Sequence, residues 1–212
     1  MGNSGGTVAD PKIRFVEREG EVTLFIDDHQ AMQGWEQDLM VASADLLCQY
    51  GSTFFEVGLG LGLSAVRIAT HPNTRRHIVV EKYGQVIQLF KERHPNLPDT
   101  LEIVEADFFD YVQVLEPSSL DGIFFDPWLP RELADNEGLW QRVMPLVIRA
   151  LKPGGAFIPF FTTRPELKWP FYQFFDQIIV EKRAFTAYST TEYTHGTSGD
   201  AYIQCFVRSR SS

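Results

Sequence analysis

The chain has 212 residues, of which 44% are hydrophobic and 13% aromatic, so it is long enough to bury one substantial core, and its length favours a single domain. Its formal net charge of −9 opposes the counterion release that drives most nucleic-acid binding, so we expect no nucleic-acid partner. No apolar run approaches the roughly 20 residues that cross a bilayer, and no signal peptide is recognisable, so we expect a cytoplasmic protein without a membrane partner.

The N-terminal region divides into a polar leader and a short folded unit. Residues 1–10 are rich in Gly and Ser, and we expect them to be disordered, ahead of a single domain over 11–212. Strand patterns over 13–18 and 22–26 flank a Glu-Gly-Glu turn and predict a hairpin. Apolar residues from 31 to 49 recur at helical spacing and predict one helix, with a kink as an option. We therefore treat 11–50 as a unit separate from a core sheet over 51–212.

Strand and helix patterns alternate through the rest of the chain, which indicates parallel βαβ units. A further helix is expected at 171–179, and an antiparallel edge pair at 184–189 and 201–207. The sum is an α/β fold with a seven-stranded, mostly parallel sheet and helices on both faces. The parallel strands are predicted over 53–57, 77–80, 101–104, 121–125 and 156–161, and the intervening helices over 63–70, 83–93 and 139–151. The cysteines, Cys48 and Cys205, form no CxxC pair, so we expect buried thiols and no metal site.

Three alternating glycines, Gly58, Gly60 and Gly62, lie between the first parallel strand and a helix that begins at Leu63. Glycine permits a sharp turn and lets a ligand lie against the backbone, where helix N-terminal amides face it. Glu81 ends the next strand, where a carboxylate would accept both hydroxyls of a ribose. Because the chain has no GKS or GKT of a P-loop, the pattern indicates an adenosine cofactor, with an ordinary tight turn as the alternative.

Two features favour S-adenosyl-L-methionine (SAM) over a dinucleotide, with S-adenosyl-L-homocysteine (SAH) as product. Glu56 precedes the glycines, and its carboxylate suits a methionine-like ammonium better than a pyrophosphate. The segment after the third strand offers an acceptor to an adenine amino group and an aromatic edge to its ring, although an N-cap explains Asp107 equally well. The further residues expected to contact the cofactor are Lys82, Tyr83, Ala106, Asp107 and Phe108.

Read together, residues 56–62, Glu81, 121–126 and the Leu-Lys-Pro-Gly-Gly at 151–155 resemble the successive motifs of class I SAM-dependent methyltransferases, which have a Rossmann-like fold. Within that superfamily, the segment from Met32 to Met40 is similar to the Met-x-x-Trp-Glu-x-x-x-Met of guanidinoacetate methyltransferase and related arginine N-methyltransferases. The resemblance implies that the N-terminal hairpin and helix cover the cofactor and that Met32, Trp35 and Met40 contact it.

The same resemblance implies how an acceptor is held. Glu36 and Asp126 would clamp a guanidino group, and the backbone amides of Thr162 and Thr163 would receive a carboxylate. Asp126, which the resemblance also places beside the cofactor, would accept the proton that a guanidinium or ammonium must lose before its nitrogen attacks. The family's Thr-Tyr-Pro-like stretch is replaced after Asp126 by Pro-Trp-Leu-Pro, so Trp128 is expected to line the pocket. Tyr193, in a polar loop over 190–199 without a family counterpart, is a weaker candidate.

Simpler explanations exist for these residues. Glu36 fits a helix surface, Asp126 fits the start of an Asp-Pro turn, and Met32 and Trp35 fit the core of an amphipathic helix. We expect transfer of a methyl group from SAM to nitrogen of a small guanidino- or amino-acid-like molecule. The alternatives are a SAM-dependent O-methyltransferase or other SAM-using enzyme for a small carboxylate or hydroxyl metabolite, and a non-catalytic SAM-binding partner protein. The oligomeric state is open, with a homodimer as one option.

Overall fold

The computed structural model of the chain describes residues 11–209, except for the Trp169 side chain. The leader predicted over 1–10 lies outside the described residues. None of the helices within residues 11–209 combines the length and the apolar character that a bilayer crossing requires.

An antiparallel three-stranded sheet opens the described chain. Its strands are β1 (Ile13–Arg18), β2 (Glu21–Ile26) and β3 (His29–Gln33), in that spatial order. The predicted hairpin is confirmed. The prediction of a helix beginning at residue 31 is wrong, because β3 is followed by a 3₁₀ turn, Gly34–Glu36, and helix α1 spans only Gln37–Leu47. Met32 pairs with Leu24 across β2 and β3, so cross-strand packing outweighs the helical spacing of the apolar residues.

The predicted seven-stranded sheet is confirmed. It has the order β6-β5-β4-β7-β8-β10-β9, with β6 to β8 parallel and β10 antiparallel to both of its neighbours, β8 and β9. The pattern of a parallel strand buried on both faces is clear in β4, where Phe54 and Phe55 point to opposite core clusters. The strands are β4 (Thr53–Val57), β5 (Arg76–Glu81), β6 (Leu101–Glu105), β7 (Leu120–Phe125), β8 (Leu151–Pro159), β9 (Gln177–Thr186) and β10 (Ser198–Val207).

Helices cover both faces of this sheet. Side chains of α1, α2 and α3 form one core cluster with the sheet, and side chains of α4, α6 and α7 form the other. The helix predicted over 171–179 is wrong, because α7 ends at Tyr172 and β9 begins at Gln177. The helices after α1 are α2 (Leu63–Thr70), α3 (Gly84–Arg93), α4 (Phe108–Val114), α5 (Arg131–Ala134), α6 (Glu137–Ala150) and α7 (Trp169–Tyr172).

Candidate active site

The glycine turn after β4 needs glycine for steric reasons at two positions. Gly58 and Gly60 have φ angles of +86° and +53°, in the left-handed region. A Cβ on Gly58 would lie 2.6 Å from the backbone oxygen of Asp126, and a Cβ on Gly60 would lie 2.7 Å from Sδ of Met32. The turn is therefore held between the loop that follows β7 and strand β3.

The third glycine has a different role. A Cβ on Gly62 would overlap the ring of Phe90 on α3, so Gly62 permits two helices to pack closely. Gly62 and its neighbour Leu63 do not line the cavity that Gly58 and Gly60 border. The structure therefore does not bring these two residues to the predicted cofactor position.

A first cavity lies against the glycine turn. The N-terminal sheet forms its roof through Leu24, Ile26 and Ala31, and the ends of β5, β6 and β7 form its walls. Most residues predicted to contact a cofactor meet here. They are Met32, Gly58, Gly60, Glu81, Lys82, Tyr83, Ala106, Asp107, Phe108 and Asp126.

Glu81 is 6% exposed and lines this first cavity from the end of β5. Its Oε2 accepts a hydrogen bond from the Leu59 amide and its Oε1 accepts one from the Tyr83 amide, both at 2.9 Å. Burial raises the pKa of the carboxyl, and these amides oppose the shift. Because each carboxylate oxygen has a second lone pair, Glu81 can still accept two ribose hydroxyls.

Asp107 caps α4. Its Oδ1 accepts a 2.9 Å hydrogen bond from the Phe109 amide, and its Oδ2 pairs with Lys82 Nζ at 2.9 Å. The N-cap explanation is therefore confirmed. Asp107 also lines the first cavity, so a contact with adenine stays a prediction.

Besides Gly62 and Leu63, three further residues predicted to contact the cofactor line neither this cavity nor the second one described below. Glu56 is fully buried, where its Oε1 accepts a 2.5 Å hydrogen bond from Ser64 and its Oε2 lies 2.9 Å from His77 Nε2. Met40 belongs to the core, with 1% exposure. Trp35 stacks on aromatic rings of the C-terminal region. Direct contact of these three side chains with a cofactor is not supported by the geometry.

A second cavity adjoins the first. Ala31 and residues 126–129 line both cavities, so Asp126 and Trp128 lie where they meet. Glu36, Thr162 and Thr163, the other residues predicted to bind an acceptor, line this second cavity. The sequence therefore identified residues from three separate segments that the fold brings to one place.

Glu36 is 6% exposed and hydrogen-bonded on one oxygen. Its Oε1 accepts from the Gln33 amide at 2.7 Å and from the Tyr193 hydroxyl at 2.6 Å. Burial raises the pKa of Glu36 to about 7, although both donors act to lower it. Burial and the charge of Glu36 also raise the pKa of Tyr193, which keeps this phenol protonated as a donor. The helix-surface explanation of Glu36 is therefore wrong.

Asp126 follows β7 directly, and its amide donates to the Val57 carbonyl at 3.0 Å. Burial raises its pKa well above the ordinary value, and the nearby carboxylates of Glu36 and Glu56 raise it further, while Lys168 opposes the shift. Two acidic groups of raised pKa that share one cavity favour a bound cation, because a cation lets both ionise.

Two residues of this second cavity had little or no signal in the sequence. Tyr193 lies in the loop between β9 and β10, which is fastened to the N-terminal sheet: Gln30 donates to the Thr190 carbonyl at 2.8 Å and accepts from the Glu192 amide at 3.0 Å. Lys168 has its Nζ 3.8 Å from the centre of the Phe160 ring, and burial lowers its pKa to about 8. No motif marks it.

The predicted carboxylate-binding amides are partly occupied by the protein itself. The Thr162 amide donates to the Tyr202 carbonyl at 3.1 Å in a β-bridge, and Thr162 Oγ1 accepts from the Arg164 amide at 3.1 Å. The expectation that the Thr162 amide receives an acceptor is therefore wrong, and at most the Thr163 amide remains for that role.

Comparison with known proteins gives one family match and several similar proteins. The model of the family described as guanidinoacetate N-methyltransferase matches residues 13–177. The tRNA (guanine-N(7)-)-methyltransferase of Francisella philomiragia subsp. philomiragia is 27% identical over an alignment of 158 residues, with coverage of 68% of this chain and 67% of that protein.

Solved structures share the fold. The spermidine synthase of Thermotoga maritima superposes with a TM-score of 0.71 at 19% identity, covering 97% of this chain and 72% of that one. The precorrin-6y C5,15-methyltransferase of Geobacter metallireducens GS-15 superposes with a TM-score of 0.56 at 16% identity, covering 81% and 87% of the two chains. At these identities the likeness establishes the Rossmann-like fold alone.

Proposed function

Because the chain belongs to the guanidinoacetate N-methyltransferase family, we propose that it transfers a methyl group from SAM to a nitrogen of a small guanidino- or amino-acid-like molecule. Family membership makes the chain a class I SAM-dependent methyltransferase and implies its use of SAM. The nature of the acceptor, and the position of each ligand in the cavities, are the parts proposed here.

The first cavity fits SAM on three observations. Gly58 and Gly60 leave their backbone open to it, where a Cβ would collide with neighbouring atoms. Glu81 presents a buried carboxylate with lone pairs to spare for a ribose. Asp107 and Phe108 border the end at which an adenine ring would lie. When bound, SAM supplies an activated methyl group on a sulfonium.

One observation carries the choice of acceptor: Glu36 and Asp126 line the same cavity, and Asp126 lies where that cavity meets the first. Two buried carboxylates repel each other unless a cation lies between them or one takes up a proton. A planar guanidinium satisfies two carboxylates through paired, charge-assisted hydrogen bonds. A neutral hydroxyl or a third carboxylate would offer no such charge compensation, so at least one of the two acids would stay protonated.

The roles of the two acids follow from their positions. Asp126, at the carboxyl end of β7, is proposed to accept the proton that the attacking nitrogen loses, since a cationic nitrogen has no lone pair to present. Glu36 is proposed to hold the other side of the guanidino group, with Oε1 fixed by Gln33 and Tyr193 and Oε2 directed to the acceptor. Orientation of the nitrogen toward the methyl group then supplies most of the catalysis.

The Francisella relative is named as a tRNA-modifying enzyme, so a nucleic acid is an alternative acceptor. Two features oppose it here. The chain carries a net charge of −9, and the acids Glu36 and Asp126 line the second cavity. We therefore propose a small-molecule acceptor and no nucleic-acid or membrane partner.

The test is methyl transfer from isotopically labelled SAM to a panel of guanidines, amines, small acids and a tRNA pool, followed by mass spectrometry. We expect label on nitrogen of a guanidino or amino compound. Glu36→Gln and Asp126→Asn should each lower kcat/KM by about 100-fold or more, as expected for loss of general acid–base catalysis or of a charged clamp. Glu116→Gln is the matched control, because Glu116 is exposed and precedes β7 at the opposite edge of the sheet.

The outcomes separate the alternatives. Label found only on oxygen, or only on tRNA, would reject the proposed acceptor class. Full turnover in both site variants would reject the roles given to the two acids. Tight SAM binding without turnover on the whole panel would favour a non-catalytic SAM-binding protein.

A further inference from the structure

The family resemblance implies that two backbone amides, of Thr162 and Thr163, hold the carboxylate of an acceptor. In this chain the Thr162 amide is engaged in a β-bridge with Tyr202, so at least one of the two is not available. An acceptor with both a cationic and an anionic end then requires another partner for its anion. Two cationic side chains, Arg164 and Lys168, line the second cavity and are the candidates for this partner. Arg164 is exposed, whereas Lys168 is partly buried.

The Lys168 ammonium has an aromatic neighbour but no anionic partner at ion-pair distance. Its Nζ lies 3.8 Å from the centre of the Phe160 ring. Within residues 11–209, no carboxylate pairs with it, although Glu166 and Asp126 lie near enough to influence its charge. Burial lowers the pKa of Lys168 to about 8 despite these two acids, so a bound anion would stabilise the charged form.

Lys168 is also held in place by its backbone. Its amide donates to Oε1 of Gln204 at 2.9 Å, and Nε2 of Gln204 donates to the Glu166 carbonyl at 2.6 Å. Gln204 lies on β10 and is 1% exposed, so both bonds are anchored in the sheet. The segment that carries Lys168 is thereby fixed beside the cavity, which favours a preorganised contact.

We propose that Lys168 Nζ binds a carboxylate of the acceptor in the second cavity. The acceptor would then be a zwitterion, with its guanidino or amino end between Glu36 and Asp126 and its carboxylate at Lys168. The inference rests on the proposed function, since that function makes the second cavity the acceptor site. In this proposal a side-chain cation, instead of backbone amides, selects for an acceptor that carries a carboxylate.

The first experiment measures the lysine itself, without any turnover. Competitive acetylation of the SAH-loaded protein across a pH series, read by mass spectrometry, gives the pKa and reactivity of each lysine. Acetate, propionate and guanidinoacetate are the probes, and methylguanidine is the probe without a carboxylate. We expect the three carboxylates to raise the pKa of Lys168 and to protect it from acetylation, with methylguanidine having no such effect. Lys91, which is exposed on α3, is the internal control and should not respond.

The second experiment uses Lys168→Met, with Lys91→Met as its matched control. Loss of a hydrogen bond to a charged group should raise the KM for guanidinoacetate by about 10- to 100-fold and leave that for methylguanidine nearly unchanged. An equal effect on both compounds would overturn the proposal, because it would mean a general defect in the cavity.

These results are distinguishable from a failure of the proposed function. If no guanidine is methylated but carboxylates still protect Lys168, the anion site stands and the acceptor class is wrong. If carboxylates leave Lys168 unchanged in the labelling series, the anion site is rejected, whatever the methyl-transfer assays give.

Discussion

The Tyr193 hydroxyl donates a 2.6 Å hydrogen bond to Oε1 of Glu36, between residues 157 positions apart in the sequence. The Gln33 amide donates to the same oxygen at 2.7 Å. Oε1 therefore has two donors, and Oε2 is left to accept from a ligand. Both donors stabilise the ionised carboxylate, which is the form that a cationic acceptor requires. Tyr193 thus positions a proposed acceptor-binding acid and favours its charge.

Tyr193→Phe should shift the pH dependence of methyl transfer. Burial holds the pKa of Glu36 at about 7, and the Tyr193 bond lowers it, so removal of that bond should raise it further. Activity that needs ionised Glu36 falls as pH drops through this pKa, so the acid limb of kcat/KM should move to higher pH by about one unit. The measurement is a pH profile of kcat/KM. Tyr172→Phe, at an exposed tyrosine, is the control, and an unchanged acid limb would contradict the assignment.

Glu36→Gln should make the ligand-free protein more stable above pH 7. The pKa of Glu36 is raised from 4.5 to about 7 in the folded state, so between these values the unfolded chain has lost a proton that the folded protein retains. Stability therefore falls as pH rises through this window, by on the order of 3 kcal/mol. Glu36→Gln has no carboxyl group to ionise at this position, so it should not lose stability in this window. Denaturant unfolding of both proteins below pH 4.5 and above pH 7 measures the difference in their free energies of unfolding.

The control for this stability prediction is Glu116→Gln, at an exposed carboxylate. It should show no pH-dependent difference from the parent protein. If Glu36→Gln and the parent protein lose stability equally across the window, Glu36 does not carry the proposed buried charge. A cationic ligand added at high pH should stabilise the parent protein more than the variant, since ligand that binds only the folded state adds to its stability.

Gly58→Ala and Gly20→Ala form a matched pair. Their φ angles are +86° and +83°, so the backbone strain of an alanine is the same, about 1 kcal/mol. A Cβ meets nothing within 4 Å at Gly20, but at Gly58 it would lie 2.6 Å from the Asp126 carbonyl. We expect Gly58→Ala to cost about 2 kcal/mol more, on the order of 3 kcal/mol in total, and to abolish SAM binding by calorimetry. Equal stability of the two variants would show that the turn adjusts freely.

Glu81→Gln should weaken SAH binding by about 10-fold or more, because an amide offers one acceptor oxygen where a carboxylate offers two charged ones. Titration calorimetry with SAH measures the change. Glu102→Gln, an exposed position on the neighbouring strand β6, is the control and should bind SAH as the parent does. Unaltered affinity in Glu81→Gln would remove the proposed sugar contact.

Local patterns were sufficient for most of the fold. Buried parallel strands such as Phe54–Val57 and 121–125 are short apolar runs between turn signals, and their alternation with helices leaves few topologies. The wrong predictions of secondary structure concern segments in which the spacing of apolar residues fits more than one kind of element. Met32 and Trp35 are three positions apart, which fits a helix, yet Met32 is held in β3 by pairing with Leu24.

The residues of the candidate site that follow parallel strands could also be predicted from the sequence. Residues at the carboxyl ends of parallel strands share one edge of the sheet, so Gly58, Glu81 and Asp126 were expected to lie together. Lys168 could not be predicted, and Tyr193 was only a weaker candidate for lining the pocket, since the positions of both depend on how a loop and a short segment pack against distant elements. No periodicity encodes such contacts.

The fastening of the β9–β10 loop to strand β3 has a consequence for how the enzyme matures. Gln30 and Thr190 are 160 positions apart, so their contact forms only after most of the intervening chain has condensed. The pocket beside the glycines uses earlier residues alone, from Leu24 to Leu133. The wall that Tyr193 and Thr194 give to the second cavity is therefore completed late in folding, after the residues that line the first cavity have been synthesised.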